Sequence, residues 1–119
     1  MAQAKLLIQN ITGVTVVDFS GSTILDGPTI EDIGRQLYEL VDQQAHRKIL
    51  LDFSQVRFLS SSMLGVLIAL RKKAQAIRGR LAIAGLRPEL RKVFKISQME
   101  KLFEFHDDQG SAMGSLSVG

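Results

Sequence analysis

The stretch "KILLDF", residues 48–53, constrains the fold most. Its apolar residues are nearly continuous, and it is too short for a helix of ordinary length. Brevity and continuity together read as a strand buried on both faces. What flanks it is helical. Before it, Ile30, Ile33, Leu37, Leu40 and Val41 recur at three- and four-residue spacing, which predicts an amphipathic helix over roughly 29–45. Gly27-Pro28 marks a turn ahead of that helix. Thr29 suits its N-cap, and Asp32 stands three residues on, as in a capping box with a shorter acid. After it, Met63, Val66, Leu67, Leu70, Ala74 and Ile77 form one stripe of a helix from Ser62 to Gly79, with Gly79 as its C-terminal cap.

The rest follows the same alternation. "KLLIQNITGVTVVDFSG" (5–21) reads as two strands joined in a hairpin around Thr12-Gly13. "RLAIAGL" (80–86) is another short apolar strand. "RPELRKVFKIS" opens a helix with Pro88 at its first position, where a missing N–H costs nothing. "KLFEFHDD" reads as a last short strand. The order β-β-α-β-α-β-α-β predicts an α/β domain with parallel pairing after the first hairpin. The expected architecture is a mixed four- to five-stranded sheet with helices packed on one face. The domain is expected over residues 1–106. The small, glycine-rich stretch 107–119 is expected to be a flexible tail.

Composition narrows the chemistry. The 119 residues suit one domain, and 45% apolar content supplies a core. Having no cysteine excludes disulfides, thiolate metal sites and cysteine nucleophiles, and fits a reducing cytoplasm. Only His46 and His106 are available for a histidine-based site. The net charge is +3, with basic residues gathered after position 70. They lack interleaved aromatics and any helix-turn-helix pattern, so they read as a solvated face and not as a nucleic-acid interface. No apolar run reaches the roughly 18 residues of a membrane span. The start "MAQAKLLIQN" has too short an apolar part for a cleavable signal.

Ser60, Ser61 and Ser62 sit where the buried strand hands over to the second helix. Four readings apply. One serine caps the helix, whose first N–H groups lack partners. A nucleophile is disfavoured because "FLSSSMLG" is not G-x-S-x-G and no histidine is near. A nucleotide-phosphate loop is disfavoured because the Walker glycines and lysine are missing. A phosphorylation switch is the fourth, since a helix N-terminus stabilises an anion. Leu64 and Ile68 widen the apolar arc of this helix beyond one stripe. The excess is either partner surface or deeper burial of the first turns.

The segment "KILLDFSQVRFLSSSMLGVLIALRKKAQAIRGRLAIAGLRPELRKVFKISQMEKLFEF" resembles the STAS domain of bacterial anti-sigma factor antagonists, and the resemblance spans roughly residues 5–106. "ILDGPTIEDI" is similar to the family segment in which an acid precedes a Thr-led helix, with Asp26 and Thr29 in those places. The resemblance implies a mixed sheet with helices on one side, and a non-enzymatic protein without a cofactor that works by partner switching. Its implied partners are an anti-sigma factor, often a serine kinase using ATP and Mg²⁺, and a serine phosphatase. The family phosphosite is the first serine of Asp-Ser-Ser-Gly-Leu-Gly. Here the same positions read Ser60-Ser61-Ser62-Met63-Leu64-Gly65. Ser61 falls on the phosphoacceptor. Ser60 replaces the aspartate, and Met63 replaces the glycine. Asp26, Ser60, Ser62, Met63 and Leu64 are the expected partner surface. The resemblance also implies an alternative role, as a structural adaptor in a lipid-transport or stress-signalling complex. A third possibility is an enzyme or ligand-binding domain using the hydroxyl cluster.

Overall fold

A computed structural model describes residues 6–19, 24–25 and 29–118. Its strands are β1 (Leu7–Ile11), β2 (Val14–Asp18), β3 (Ile24–Leu25), β4 (Lys48–Asp52), β5 (Phe58–Leu59), β6 (Arg80–Ala84) and β7 (Glu104–His106). Its helices are α1 (Thr29–Asp42), α2 (Ser61–Ala76), α3 (Pro88–Ile96) and α4 (Gln109–Val118), with a 3-10 turn at Glu100–Leu102. Five strands form one sheet in the order β1-β2-β4-β6-β7. β1 and β2 pair antiparallel, and the other neighbours are parallel. The expected hairpin and the parallel remainder are both present. Thr12 and Gly13 take φ values of 47° and 85°, the positive pair that a two-residue hairpin turn needs.

Alternation across the strands sorts side chains to two faces. Val17, Phe19, Ile49, Leu51, Phe53, Leu81 and Ile83 meet the apolar stripes of α1, α2 and α3 in the main core. Val14, Val16, Leu50, Ala82 and Ala84 point the other way and meet Ala112 and Leu116 of α4. Two expectations therefore need correction. Helices cover both faces of the sheet, and the stretch expected to be a flexible tail carries α4.

The physical reason is the second apolar face, which needs a cover. Small residues let α4 lie close to the alanines beneath it. Asp108 supplies the N-cap. Its Oδ1 accepts from the Ser111 N–H at 2.8 Å, and that bond holds the Asp108 carboxyl below its ordinary pKa. At the other end the Arg80 guanidinium donates to Glu104 Oε1 at 2.7 Å and Oε2 at 3.0 Å. It also donates to the Ser115 carbonyl at 3.2 Å and hydroxyl at 3.1 Å. A cation on the last turn of a helix also complements the helix dipole.

Helix ends explain a third difference. Gly79 is not the left-handed residue after α2. Arg78 is, with φ 58°. The Arg78 N–H reaches the Gln75 carbonyl at 3.0 Å and the Gly79 N–H reaches that of Ala74 at 2.7 Å, the paired bonds of a Schellman end. Gly79 is needed for space, because a Cβ there would stand 2.7 Å from the Arg47 carbonyl oxygen. Gln98 (φ 59°) after α3 repeats the Arg78 arrangement, and Ala45 (φ 53°) follows α1 in the same backbone region.

Candidate functional site

The three serines lie at the end of the sheet to which the parallel strands deliver their C-termini. β4 ends at Asp52, whose Oδ1 accepts from the Ser54 N–H at 2.9 Å. Phe53 and Val56 then bury themselves, and the Val56 N–H closes a turn onto the Phe53 carbonyl at 2.9 Å. β5 pairs in parallel with β3, which fixes the chain just before Ser60. Successive strand residues face opposite ways. Leu59 is buried, so Phe58 turns outward and is 47% exposed.

α2 starts directly after. Ser60 is its N-cap, with extended backbone (φ −80°, ψ 165°). The Ser60 hydroxyl oxygen accepts from the Met63 N–H at 3.2 Å, and its carbonyl takes the first helical bond, from Leu64, at 3.2 Å. Capping therefore falls to Ser60 alone. Ser61 and Ser62 occupy the first helical turn and are exposed. The aspartate that the family motif places at position 60 is itself among the best N-caps, so serine there keeps the cap and removes a charge. Ser60→Ala is expected to cost about 1 kcal/mol in urea denaturation, while Ser60→Asp retains the wild-type midpoint. An unchanged midpoint for the alanine variant would remove the capping role.

The remaining expected site residues separate. Met63 is fully buried and belongs to the main core, on the stripe it shares with Leu67, Leu70 and Ala74. It does not line a partner surface. The side chain that replaces the family glycine points inward, where a flexible thioether fills core volume. Leu64 and Ile68 are half-buried against the same core, so the wide apolar arc of α2 is shared between packing and surface. Asp26 lies outside the described residues, as does the Gly27-Pro28 turn.

One exposed residue was not expected here. Phe58 stands two positions before Ser60, on a strand of two residues that is too short to show a period in the sequence. Arg57 beside it is also exposed. Elsewhere, several of the basic residues gathered after position 70 are paired: Lys73 with Asp42 at 2.7 Å, Arg80 with Glu104, and Arg91 with Glu100 at 3.6 Å. Among the described residues no group of three acidic or histidine side chains is placed to hold a metal ion. No helix among them is long and apolar enough to cross a membrane.

Comparison with known proteins agrees with this geometry. The anti-sigma F factor antagonist of Paenibacillus polymyxa is 26% identical over 114 residues, covering 96% of each chain. A crystal structure of an anti-sigma factor antagonist from Mycobacterium paratuberculosis superposes with a TM-score of 0.82 at 23% identity, over 94% of this chain and 92% of that one. The Bacillus cell fate determinant SpoIIAA, solved in its phosphorylated form, gives a TM-score of 0.72 at 21% identity, over 93% and 98%. The STAS domain model matches residues 5–112. With this sheet, these helices and that match, the chain belongs to the STAS domain family, which includes relatives named anti-sigma factor antagonists.

Proposed function

We infer that this protein is an anti-sigma factor antagonist switched off by phosphorylation of Ser61. The observation that carries this reading is the division of labour at the start of α2. Ser60 caps the helix, which leaves the Ser61 hydroxyl exposed and free of structural duty. The relative solved in a phosphorylated form supports the same reading. The unphosphorylated surface offers Phe58, Ser61, Ser62 and the outer part of Leu64 to an anti-sigma factor, which thereby releases its sigma factor. A serine kinase activity of that partner adds phosphate from ATP to Ser61, and a serine phosphatase removes it. These are cytoplasmic partners, and the cytoplasm is the proposed location.

The physics of the switch is local. Phosphate adds about −1.5 to −2 charges and three acceptor oxygens. The free N–H groups and dipole of the helix start accommodate them. A partner seated over the same end meets new bulk and charge. Losing the family aspartate at position 60 also removes a like charge beside that phosphate.

Incubation with the cognate kinase and ATP, followed by mass-spectrometric mapping, is expected to place the phosphate on Ser61. Label on another residue, or none, sinks the assignment. Ser61→Asp is expected to weaken anti-sigma factor binding at least about tenfold, the equivalent of ~1.4 kcal/mol. An acid in the first turn gains about 0.3–1 kcal/mol from the helix dipole, so the melting midpoint is expected to hold or rise slightly. A large loss of stability would mean that Ser61 serves the fold instead.

A further inference from the structure

We propose that the outer edge of β1 pairs antiparallel with β1 of a second copy, giving a two-fold dimer centred on Gln9 with one continuous sheet. This does not rest on the Ser61 reading.

The two edges of the sheet are built differently. β7 is three residues long and carries Glu104, which is paired with Arg80, and half-buried His106. Shortness and charge are the usual protections of an edge strand. β1 is five residues long, "LIQNI", with no charge and no proline. No bulge interrupts its register with β2. Helices leave it uncovered, since Leu7 is 55% exposed and Ile8 41% exposed although they lie on opposite faces. An uncharged, regular and apolar edge is a template for another strand.

The backbone phase selects the partner and the register. Ile11 and Val14 are register partners flanking the two-residue turn Thr12-Gly13, the position at which such a hairpin carries a hydrogen-bonded pair. Ile11, Gln9 and Leu7 therefore turn their N–H and C=O groups toward β2, and Asn10 and Ile8 turn theirs outward. A two-fold axis at Gln9 sets Ile8 opposite Asn10 of the partner subunit, and Asn10 opposite Ile8 of the partner subunit. Those residues carry the free groups, so each pair exchanges two backbone hydrogen bonds. Gln9 meets Gln9 of the partner subunit in the closer, non-hydrogen-bonded position, amide against amide. Leu7 meets Ile11 of the partner subunit on the same face, apolar against apolar. All five residues of β1 are paired, and no charge of the strand is opposed or buried. Such self-matching along one edge fits a second copy of this chain. The area is small, which places the dimer in the transient class.

The test uses the full chain in light scattering coupled to size exclusion, over a concentration series. The average mass is expected to rise from that of one chain toward twice that value. Gln9→Lys sets two ammonium groups on the axis. It is expected to hold the mass at one chain throughout, with circular dichroism and melting unchanged because the residue is exposed. The native chain has no cysteine, so a single one reports cleanly. Gln9→Cys is expected to give a disulfide-linked dimer on oxidation, and Asn10→Cys, which faces Ile8 of the partner subunit, is not. A one-chain mass at the highest soluble concentration overturns the proposal. So does a dimer that survives Gln9→Lys, or one that links through Asn10→Cys in preference to Gln9→Cys.

Discussion

Leu116→Asp is expected to remove more than about 4 kcal/mol of folding stability, the largest effect of any single change considered for this chain. Leu116 is fully buried against the sheet face made by Val14, Val16, Leu50, Ala82 and Ala84, with Ala112 one turn before it. Truncation of a buried leucine to alanine alone costs about 2–5 kcal/mol. Aspartate adds a charge that has no partner under α4, so the helix either lifts from the sheet or carries that charge into the core. Lifting it also frees Arg80 from Ser115 and exposes the whole second face. Since a domain of this size holds about 5–15 kcal/mol in total, a loss on this scale threatens folding itself. Urea denaturation of Leu116→Ala and Leu116→Asp measures the series. Midpoints matching wild type for both would mean that α4 contributes nothing to the fold.

Gly85→Ala is expected to cost about 2–4 kcal/mol. Gly85 directly follows β6 with φ 72°, where a side chain is strained whatever the space around it. A Cβ would also stand 3.0 Å from the Ser54 Cβ and 3.2 Å from its Cα and N, most of which is backbone that cannot swing away. The Gly85 N–H meanwhile holds the His106 carbonyl at 3.1 Å, so a shift there loosens the end of β7 as well. The same substitution at Gly65 has the opposite sign. Gly65 lies inside α2, and a Cβ there meets nothing within 4 Å. Gly65→Ala is therefore expected to gain about 1 kcal/mol, the usual difference in helix propensity. Denaturation of the two variants side by side checks both signs, and a Gly85→Ala protein as stable as wild type would refute the argument from φ and space.

Much of the fold was legible because each element carried a period of its own. The stripe Ile30, Ile33, Leu37, Leu40, Val41 appears as the buried side of α1. The run at 49–51 appears as a strand buried on both faces, in the middle of the sheet. That same run held the clue to α4. A strand with both faces dry needs two layers of cover, and every helical stripe upstream was already assigned to one of them. Gly110 and Gly114 hid the rest of the signal by lowering helix propensity, while Asp108 as N-cap and the four-residue spacing of Ala112 and Leu116 carried it. β3 and β5 were not legible, since two residues are too few to show a period. At the site, the motif located the serines but not their separate duties. Which hydroxyl caps depends on where the helical turn begins, and the structure begins it at Ser61, leaving the cap to Ser60. Met63 had two readings: the stripe it shares with Leu67, Leu70 and Ala74 put it in the core, and only the family resemblance put it on the partner surface.

The left-handed residues that follow α1, α2 and α3 have a bearing on how readily this domain changes partners. Ala45, Arg78 and Gln98 each hold a backbone conformation that costs a residue with a side chain about 1–2 kcal/mol. Glycine would recover that, less the ~0.5–1 kcal/mol of its own greater chain freedom. In α2 the strained residue, Arg78, lies 17 residues from Ser61, beyond a helix of 16 residues that is about 24 Å long. The domain thus carries unspent stability at a distance from its proposed recognition surface. Substitutions around Phe58 and Ser61 that fit a new partner but weaken the fold have somewhere to be offset, without disturbing the surface being remade.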